Sequence, residues 1–381
     1  MIVTSGQIES LVIKIAEVCN LQCSYCYMYF HEDQTYKTRP RLMSDLTFDM
    51  ILRRVREYCD AHSPHRMYLH LHGGEPTLVK QKRIARFASA ARDVLGDSLA
   101  GISMQTNATL IDDRWIEVLR EQRIRVGVSL DGPSEIHDIY RMDHASRGSH
   151  AATVRGLKRL QDGGINPAVL CVINFNTRGL DIFRYLRSLH IKKINFLLPD
   201  VSHDSKNKLY GTYGDTPVAD YLIPVFDEWF IQDDSEVRIP LFWHLLRTLM
   251  GGTPIGDVFG NPLMSYLIVE SDGSIQTLDA LKVCKEGISD SGLNVFEHGF
   301  GELHLGMPLV HQLVHIGIPL PTRCETCNEK SWCGGGYLPH RYAKSNGFDN
   351  PSVWCADILK LLGHIRYKVS EVDKDVVLRK A

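Results

Sequence analysis

The chain has 381 residues, room for roughly two or three domains of about 150 residues each. Its 43 basic and 45 acidic residues leave a formal net charge of −2, a balance that carries no nucleic-acid footprint. There is no run of about 18 apolar residues and no signal-peptide core followed by small residues, so a cytoplasmic protein without a membrane partner is expected.

The apolar run Leu11–Ala16 reads as a strand, and it leads into Cys19, Cys23 and Cys26 in a CxxxCxxC spacing. Three thiolates in one loop suit three corners of a cubane [4Fe–4S] cluster and leave one iron open for a small molecule. A tetrahedral zinc site would want a fourth ligand, which the loop lacks. Ser44 or Asp45 can cap a helix with Phe48, Ile51, Leu52, Val55 and Cys59 on one face. Met67–His72 is a second strand, running into Gly73-Gly74-Glu75-Pro76. Gly101–Thr106 is a third, ending in Gln105-Thr106-Asn107. Asp112 can cap a helix carrying Trp115, Ile116 and Leu119, and Arg125–Leu130 is a fourth strand that ends by Ser129 and Asp131. A helix on Val154, Leu157 and Leu160 and strands at Ala168–Ile173 and Lys193–Leu198 complete six strands alternating with helices, which implies parallel pairing.

The pattern then changes. Asp200–Thr216 is polar and turn-rich, a boundary or loop. Helices come next at Pro217–Phe230 and Phe242–Met250. Asp272-Gly273 joins Tyr266–Ser271 to Ser274–Leu278 as a hairpin. The final helix has Ile358, Leu361, Leu362, Ile365 and Val369 on one face.

Of the ten cysteines, Cys59 and Cys171 fall on apolar faces and read as inert core residues. Cys284 reads as a plain thiol or a supplementary ligand. His70 and His72 share one strand face, a spacing open to metal binding. A core role for His70 fits better.

The CxxxCxxC loop, the GGEP turn, and the ends at Asn107 and Ser129 resemble the radical S-adenosylmethionine (SAM) superfamily. The resemblance implies an α/β fold, a partial (β/α)6 barrel over residues 1–216. A helical connector over 217–265 and a C-terminal auxiliary-cluster region over 266–381 would complete the chain. It implies a SAM-binding cluster on Cys19, Cys23 and Cys26. SAM contacts would come from Tyr25, His72, Gly73, Gly74, Glu75, Asn107, Ser129 and Arg155, although Arg155 is equally readable as an exposed helix cation. The set Cys324, Cys327, Cys333, Gly334-Gly335-Gly336-Tyr337 and Cys355 looks like a SPASM region, which carries auxiliary clusters in peptide-modifying members. In that family pattern Leu278 and Tyr337 stand where further cysteines occur. One auxiliary [4Fe–4S] cluster, on Cys324, Cys327, Cys333 and Cys355, is therefore implied rather than two.

The segments Cys26–Tyr29, Asp279–Lys282, Gly292–Phe296, Cys333–Arg341 and Gly347–Asp357 are similar to the FxsB-like branch of radical SAM/SPASM peptide maturases. That branch implies an oxidoreductase acting on a ribosomal precursor peptide, several members making arene-to-Cβ crosslinks (cyclophanes). A small electron donor such as flavodoxin or ferredoxin would supply reducing equivalents. Leader binding would fall to the barrel, the C-terminal region or a separate protein. Asp279 and Tyr337 are the candidate catalytic proton acceptors. The alternatives are formylglycine formation of the anaerobic sulfatase-maturase type, and a non-catalytic iron–sulfur peptide-binding protein.

Overall fold

The computed structural model describes residues 7–207, 213–232, 234–254 and 257–371. Residues 208–212 of the expected polar loop lie outside the described residues. Contacts divide the chain into two compact units that interleave in sequence. One comprises Met1–Ser129, Arg141–Pro167 and Leu263–Gly317, the other Leu130–Tyr140, Ala168–Pro262 and Ile318–Ala381.

The first unit is built on β1 (Ser10–Ala16), β2 (Met67–Gly73), β3 (Leu99–Thr106) and β4 (Ile124–Ser129), paired in parallel in that order. On the other edge of β1 lies β7 (Tyr266–Val269), also parallel. The strands β8 (Ser274–Gln276) and β9 (Asp290–Asn294) extend it antiparallel. The crossovers are α1 (Asp45–Ala61), α2 (Gln81–Leu95) and α3 (Asp113–Glu121). Ser44 Oγ accepts the Thr47 N–H at 3.0 Å, and Asp112 Oδ1 accepts that of Trp115 at 2.9 Å, so both helices start on side-chain caps. Phe48, Ile51 and Val55 of α1 are buried, with the Phe48 ring 4.6 Å from that of Phe87 on α2. Each such side chain contributes about 1.5–3 kcal/mol by leaving water.

In the second unit α4 (Ser134–Tyr140) precedes β5 (Ala168–Val172), α6 (Gly179–Ser188) and β6 (Ile194–Leu197). The helix between, α5 (His150–Asp162), belongs to the first unit. β5 and β6 pair in parallel. The helices α7 (Pro217–Gln232), α8 (Pro240–Leu249) and α9 (Cys355–Ser370) come after them. Asp357, in the first turn of α9, accepts the N–H groups of Val218 and Ala219 at 2.7 and 3.0 Å. It thereby caps α7 from a residue nearly 140 positions away and ties the C-terminal helix to this unit.

The six expected strands are present with their ends shifted by a residue or two, and the class is α/β with parallel βα units. No helix among the described residues is long and apolar enough to cross a membrane.

Candidate functional site

The loop bearing Cys19, Cys23 and Cys26 leaves the carboxyl end of β1 and is fastened to the turn after β2. The N–H groups of Gly74 and Glu75 donate to Ala16 O at 2.7 Å and Val18 O at 2.9 Å. The approach is close enough to require glycine. A Cβ at Gly73, where φ is +136°, would overlap Ala16 O, and one at Gly74 would overlap Val18 O and the Tyr29 hydroxyl.

Donors surround the sulfurs. The Leu21 N–H reaches Cys19 Sγ at 3.4 Å, Asn107 Nδ2 lies 4.0 Å from the same atom, and Arg141 Nη1 lies 3.9 Å from Cys23 Sγ. Burial pushes the thiols of Cys19 and Cys26 up to about 12 and about 11. Anionic sulfur bound to iron would satisfy both the donors and the missing charge, so the donor set fits a cluster. Arg141 also lies over the Tyr25 ring at 5.5 Å, and His144 Nε2 is 2.9 Å from Cys19 O. Neither Arg141 nor His144 was expected from the sequence, since both sit in an irregular segment that carries no motif. Among the described residues no three His, Cys, Asp or Glu side chains converge on a single metal ion. A cubane makes a different demand, one thiolate at each of several irons.

Glu75 is buried and links the strand ends. Its Oε1 accepts from Thr77 N (3.0 Å), Thr77 Oγ1 (2.6 Å) and Thr106 Oγ1 (2.6 Å), and its Oε2 from Asn107 N (2.8 Å). Burial raises its pKa and these donors oppose the shift. With a single protein donor on Oε2, the carboxylate keeps acceptor capacity for a ligand ammonium. Asn107 Nδ2 donates to Asn20 Oδ1 at 2.9 Å, which brings the end of β3 to the cysteine loop. Ser129 Oγ accepts from Gln105 Nε2 at 2.9 Å. Arg155 is exposed on α5. That helix packs so tightly on the Asn107–Ala108 turn that a Cβ at Gly156 would overlap Ala108 O. His70 pairs with Ser103 Oγ at 2.6 Å.

A second polar group joins β1, β2, the cysteine loop and the turn after β8. Lys14 Nζ is wholly buried and lies 2.6 Å from Asp279 Oδ2, 2.6 Å from Tyr27 Oη and 3.3 Å from His72 Nδ1. The Tyr27 hydroxyl donates to Asp279 Oδ2 at 2.6 Å. Although burial works against ionisation of Asp279, the Lys14 ammonium and the hydrogen bonds from Lys14 and Tyr27 together outweigh it and hold the carboxyl well below its ordinary range. Burial, with Lys14 adding to it, lowers His72 to about 3, so its imidazole is neutral. Sequence alone did not single out Lys14 or Tyr27. One signal existed, a lone lysine inside the strand SLVIKIA.

Cys324, Cys327, Cys333 and Cys355 line one cavity in the second unit, together with Lys330, Gly335, Ser352 and Leu359. Gly334, Gly335 and Gly336 all have positive φ (62°, 84° and 79°). The Gly335 N–H bonds Cys333, and the Glu329 N–H reaches Cys327 Sγ at 3.4 Å. Four sulfurs around one space, two of them held by amides, fit a fully ligated cubane. Cys284 is buried and takes no part in this lining. Leu278 is also buried. Tyr337 packs edge-on against the His340 ring at 5.1 Å. Asp279 and Tyr337, the two candidate proton acceptors, fall in different units.

Residues 13–179 match the family model of the Radical SAM superfamily. This match and the cysteine loop it contains indicate a radical SAM enzyme, with a [4Fe–4S] cluster and SAM as cofactors. The chain is 27% identical over 353 residues to a cysteine-type anaerobic sulfatase-maturating enzyme of Clostridium perfringens, covering 91% of this chain and 93% of that protein. It is similar in fold to the solved structure of anSMEcpe with bound AdoMet and Cp18Cys peptide, with a TM-score of 0.81 at 23% identity, covering 95% of this chain and 98% of the other. Streptococcus suis SuiB bound to precursor peptide SuiA gives a TM-score of 0.64 at 15% identity, covering 92% of this chain and 76% of SuiB.

Proposed function

We propose that this enzyme oxidatively modifies a ribosomally made precursor peptide by joining an aromatic ring carbon to the Cβ of a nearby residue, as in the FxsB-like branch. Cys19, Cys23 and Cys26 would hold the first cluster, with SAM among Tyr25, His72–Glu75, Asn107, Ser129 and Arg155. Bound there, cluster and SAM would supply the radical chemistry that removes a hydrogen atom from the peptide. Cys324, Cys327, Cys333 and Cys355 would hold an auxiliary cluster, which supplies an acceptor for the second electron.

The chain's own part is to hold charge and take a proton. Forming the carbon–carbon bond removes one hydrogen atom, one electron and one proton from the peptide. The proton comes from a ring that has lost its aromaticity, so it is strongly acidic and needs only a weak base. Asp279, kept ionised by Lys14 and Tyr27, meets that need. Tyr337 is the second candidate, beside the glycine run after Cys333.

The observation that carries this reading is one cavity lined by four cysteines, with Leu278 and Tyr337 standing where a second auxiliary set would need thiols. The similarity to a sulfatase-maturating enzyme over nine-tenths of the chain favours a second reading, formylglycine formation on a protein cysteine or serine. A small donor such as flavodoxin or ferredoxin would feed either reaction.

Co-expression with candidate small peptides and tandem mass spectrometry of the products separate the two. A crosslinked peptide lacks two hydrogens and shows no fragments between the joined residues, whereas formylglycine appears as an aldehyde on a single residue. Failure of the anaerobic protein to form 5′-deoxyadenosine would remove both readings and leave a non-catalytic binding protein.

A further inference from the structure

We propose that a pocket at the carboxyl end of β5 seats an aromatic side chain of the substrate peptide, the identity of that substrate resting on the proposed crosslinking function. The pocket lies wholly within the second unit, has a volume of about 220 Å³, and is walled by Phe175, Leu180, Tyr213, Pro217, Tyr221 and Pro224. For scale, an apolar cavity of about 150 Å³ takes up benzene, so this space admits a benzyl, hydroxybenzyl or indolyl group.

The walls are fixed before any ligand arrives. Val172 N, at the end of β5, donates to Asp131 Oδ1 at 3.0 Å, and Asn174 Oδ1 accepts the Asn176 N–H at 2.9 Å, which shapes the loop carrying Phe175. The Phe175 ring stands 5.3 Å from Tyr213 at an interplanar angle of 49° and 5.5 Å from Trp354 at 60°. A Cβ at Gly179 would overlap Tyr221 O and the Tyr221 ring, so α6 rests directly on α7.

The remaining lining is polar. Arg178 is 77% exposed and meets Asp181 only at 4.0 Å, while Asp220 is held by Lys360 at 2.6 Å. Aromatic walls under a polar border match one ring projecting from a hydrated peptide backbone. Ring edges and faces on the walls favour an aromatic guest over an aliphatic one of similar size by up to about tenfold. Carboxyl ends of strands are where ligands bind in parallel α/β folds, and the proposed crosslink requires an aromatic residue on the substrate.

The test uses the full-length reconstituted protein and the probe N-acetyl-4-fluorophenylalanine N-methylamide, observed by fluorine NMR without turnover. Saturable binding is expected. The capped phenylalanine, tyrosine or tryptophan should displace the probe, with capped leucine about tenfold weaker. Thr177→Trp plugs the space and Tyr213→Ala removes a wall ring that is 38% exposed. Each should weaken the probe about tenfold or more in protein whose melting curve matches the wild type. Equal competition by leucine, or unchanged affinity in folded Thr177→Trp and Tyr213→Ala, would overturn the assignment. Because binding is scored without product, a peptide that proves not to be crosslinked would defeat the functional reading and leave the pocket standing.

Discussion

Lys14 Nζ and Asp279 Oδ2 lie 2.6 Å apart, the lysine side chain wholly buried and the aspartate 18% exposed. The pair joins the middle of β1 to the turn after β8, and Tyr27 and His72 complete its surroundings. An ammonium in an apolar strand has a high desolvation cost unless a counter-charge is beside it. Asp279 supplies that charge and is in turn kept ionised, so one contact serves both folding and the proposed proton transfer.

Replacing Lys14 by Met should destabilise the protein by about 3–5 kcal/mol, because Asp279 loses its counter-charge and keeps only the Tyr27 hydroxyl. Its pKa then rises, since burial opposes ionisation and the chief opposing charge is gone. The wild-type carboxyl is depressed, so it stays ionised down to acid pH, whereas the variant is protonated at a higher pH than the wild type. The ratio of crosslinked product to 5′-deoxyadenosine should therefore be flat in the wild type and fall on the acid side in Lys14→Met. A flat ratio in the folded variant would remove Asp279 as the proton acceptor.

Glu75→Gln tests the link between the strand ends. The amide replaces an acceptor oxygen with an NH2 group, which then faces Asn107 N or the hydroxyls of Thr77 and Thr106. A buried mismatch of this kind costs about 1–3 kcal/mol. We expect a lower melting temperature and weaker SAM affinity by equilibrium dialysis with iron content maintained. Full affinity for SAM would show that Glu75 only braces the fold.

Gly74→Ala should fail differently. The added Cβ would overlap Val18 O, a backbone atom that cannot rotate away. The cysteine loop must shift, so this variant should lose about half of its iron, equivalent to one of two four-iron clusters, as measured by anaerobic metal analysis. Retention of wild-type iron would mean the loop tolerates a wider separation from β2.

Much of this was legible in the sequence because the chemistry-bearing residues sit at strand ends or in short cysteine spacings. Short strand-like stretches leading into the motifs located β1 to β4. The glycines Gly73-Gly74 located the turn after β2, and the cap at Asp112 located the start of α3. The four-cysteine lining was readable from spacing and resemblance together. The unreadable parts depend on partners distant in the chain. Arg141 and His144 reach the cysteine loop from a segment about 120 residues downstream. The aromatic pocket draws Phe175, Tyr213 and Tyr221 from a loop, a coil and a helix, each unremarkable alone. β9 escaped because Asp290–Asn294 is polar and glycine-bearing, and it exists through pairing with β8 rather than by propensity.

SAM cleavage and substrate oxidation should be separable by mutation. The reconstituted wild type should hold about eight irons, two clusters of four, and Cys19, Cys23 and Cys26 replaced together should leave about half. The residues proposed to hold the first cluster and SAM all lie in the first unit, and the four-cysteine cavity in the second. Loss of the cavity should therefore leave SAM cleavage partly intact and stop the reaction at the stage where a second electron must leave. Cys333→Ala is expected to form 5′-deoxyadenosine without crosslinked peptide, and Cys23→Ala to form neither. Removing a metal can also unfold the segment it holds, so circular dichroism and thermal melts accompany the assay. A folded Cys333→Ala protein that makes product at near wild-type yield would show that the C-terminal site does not take the electron.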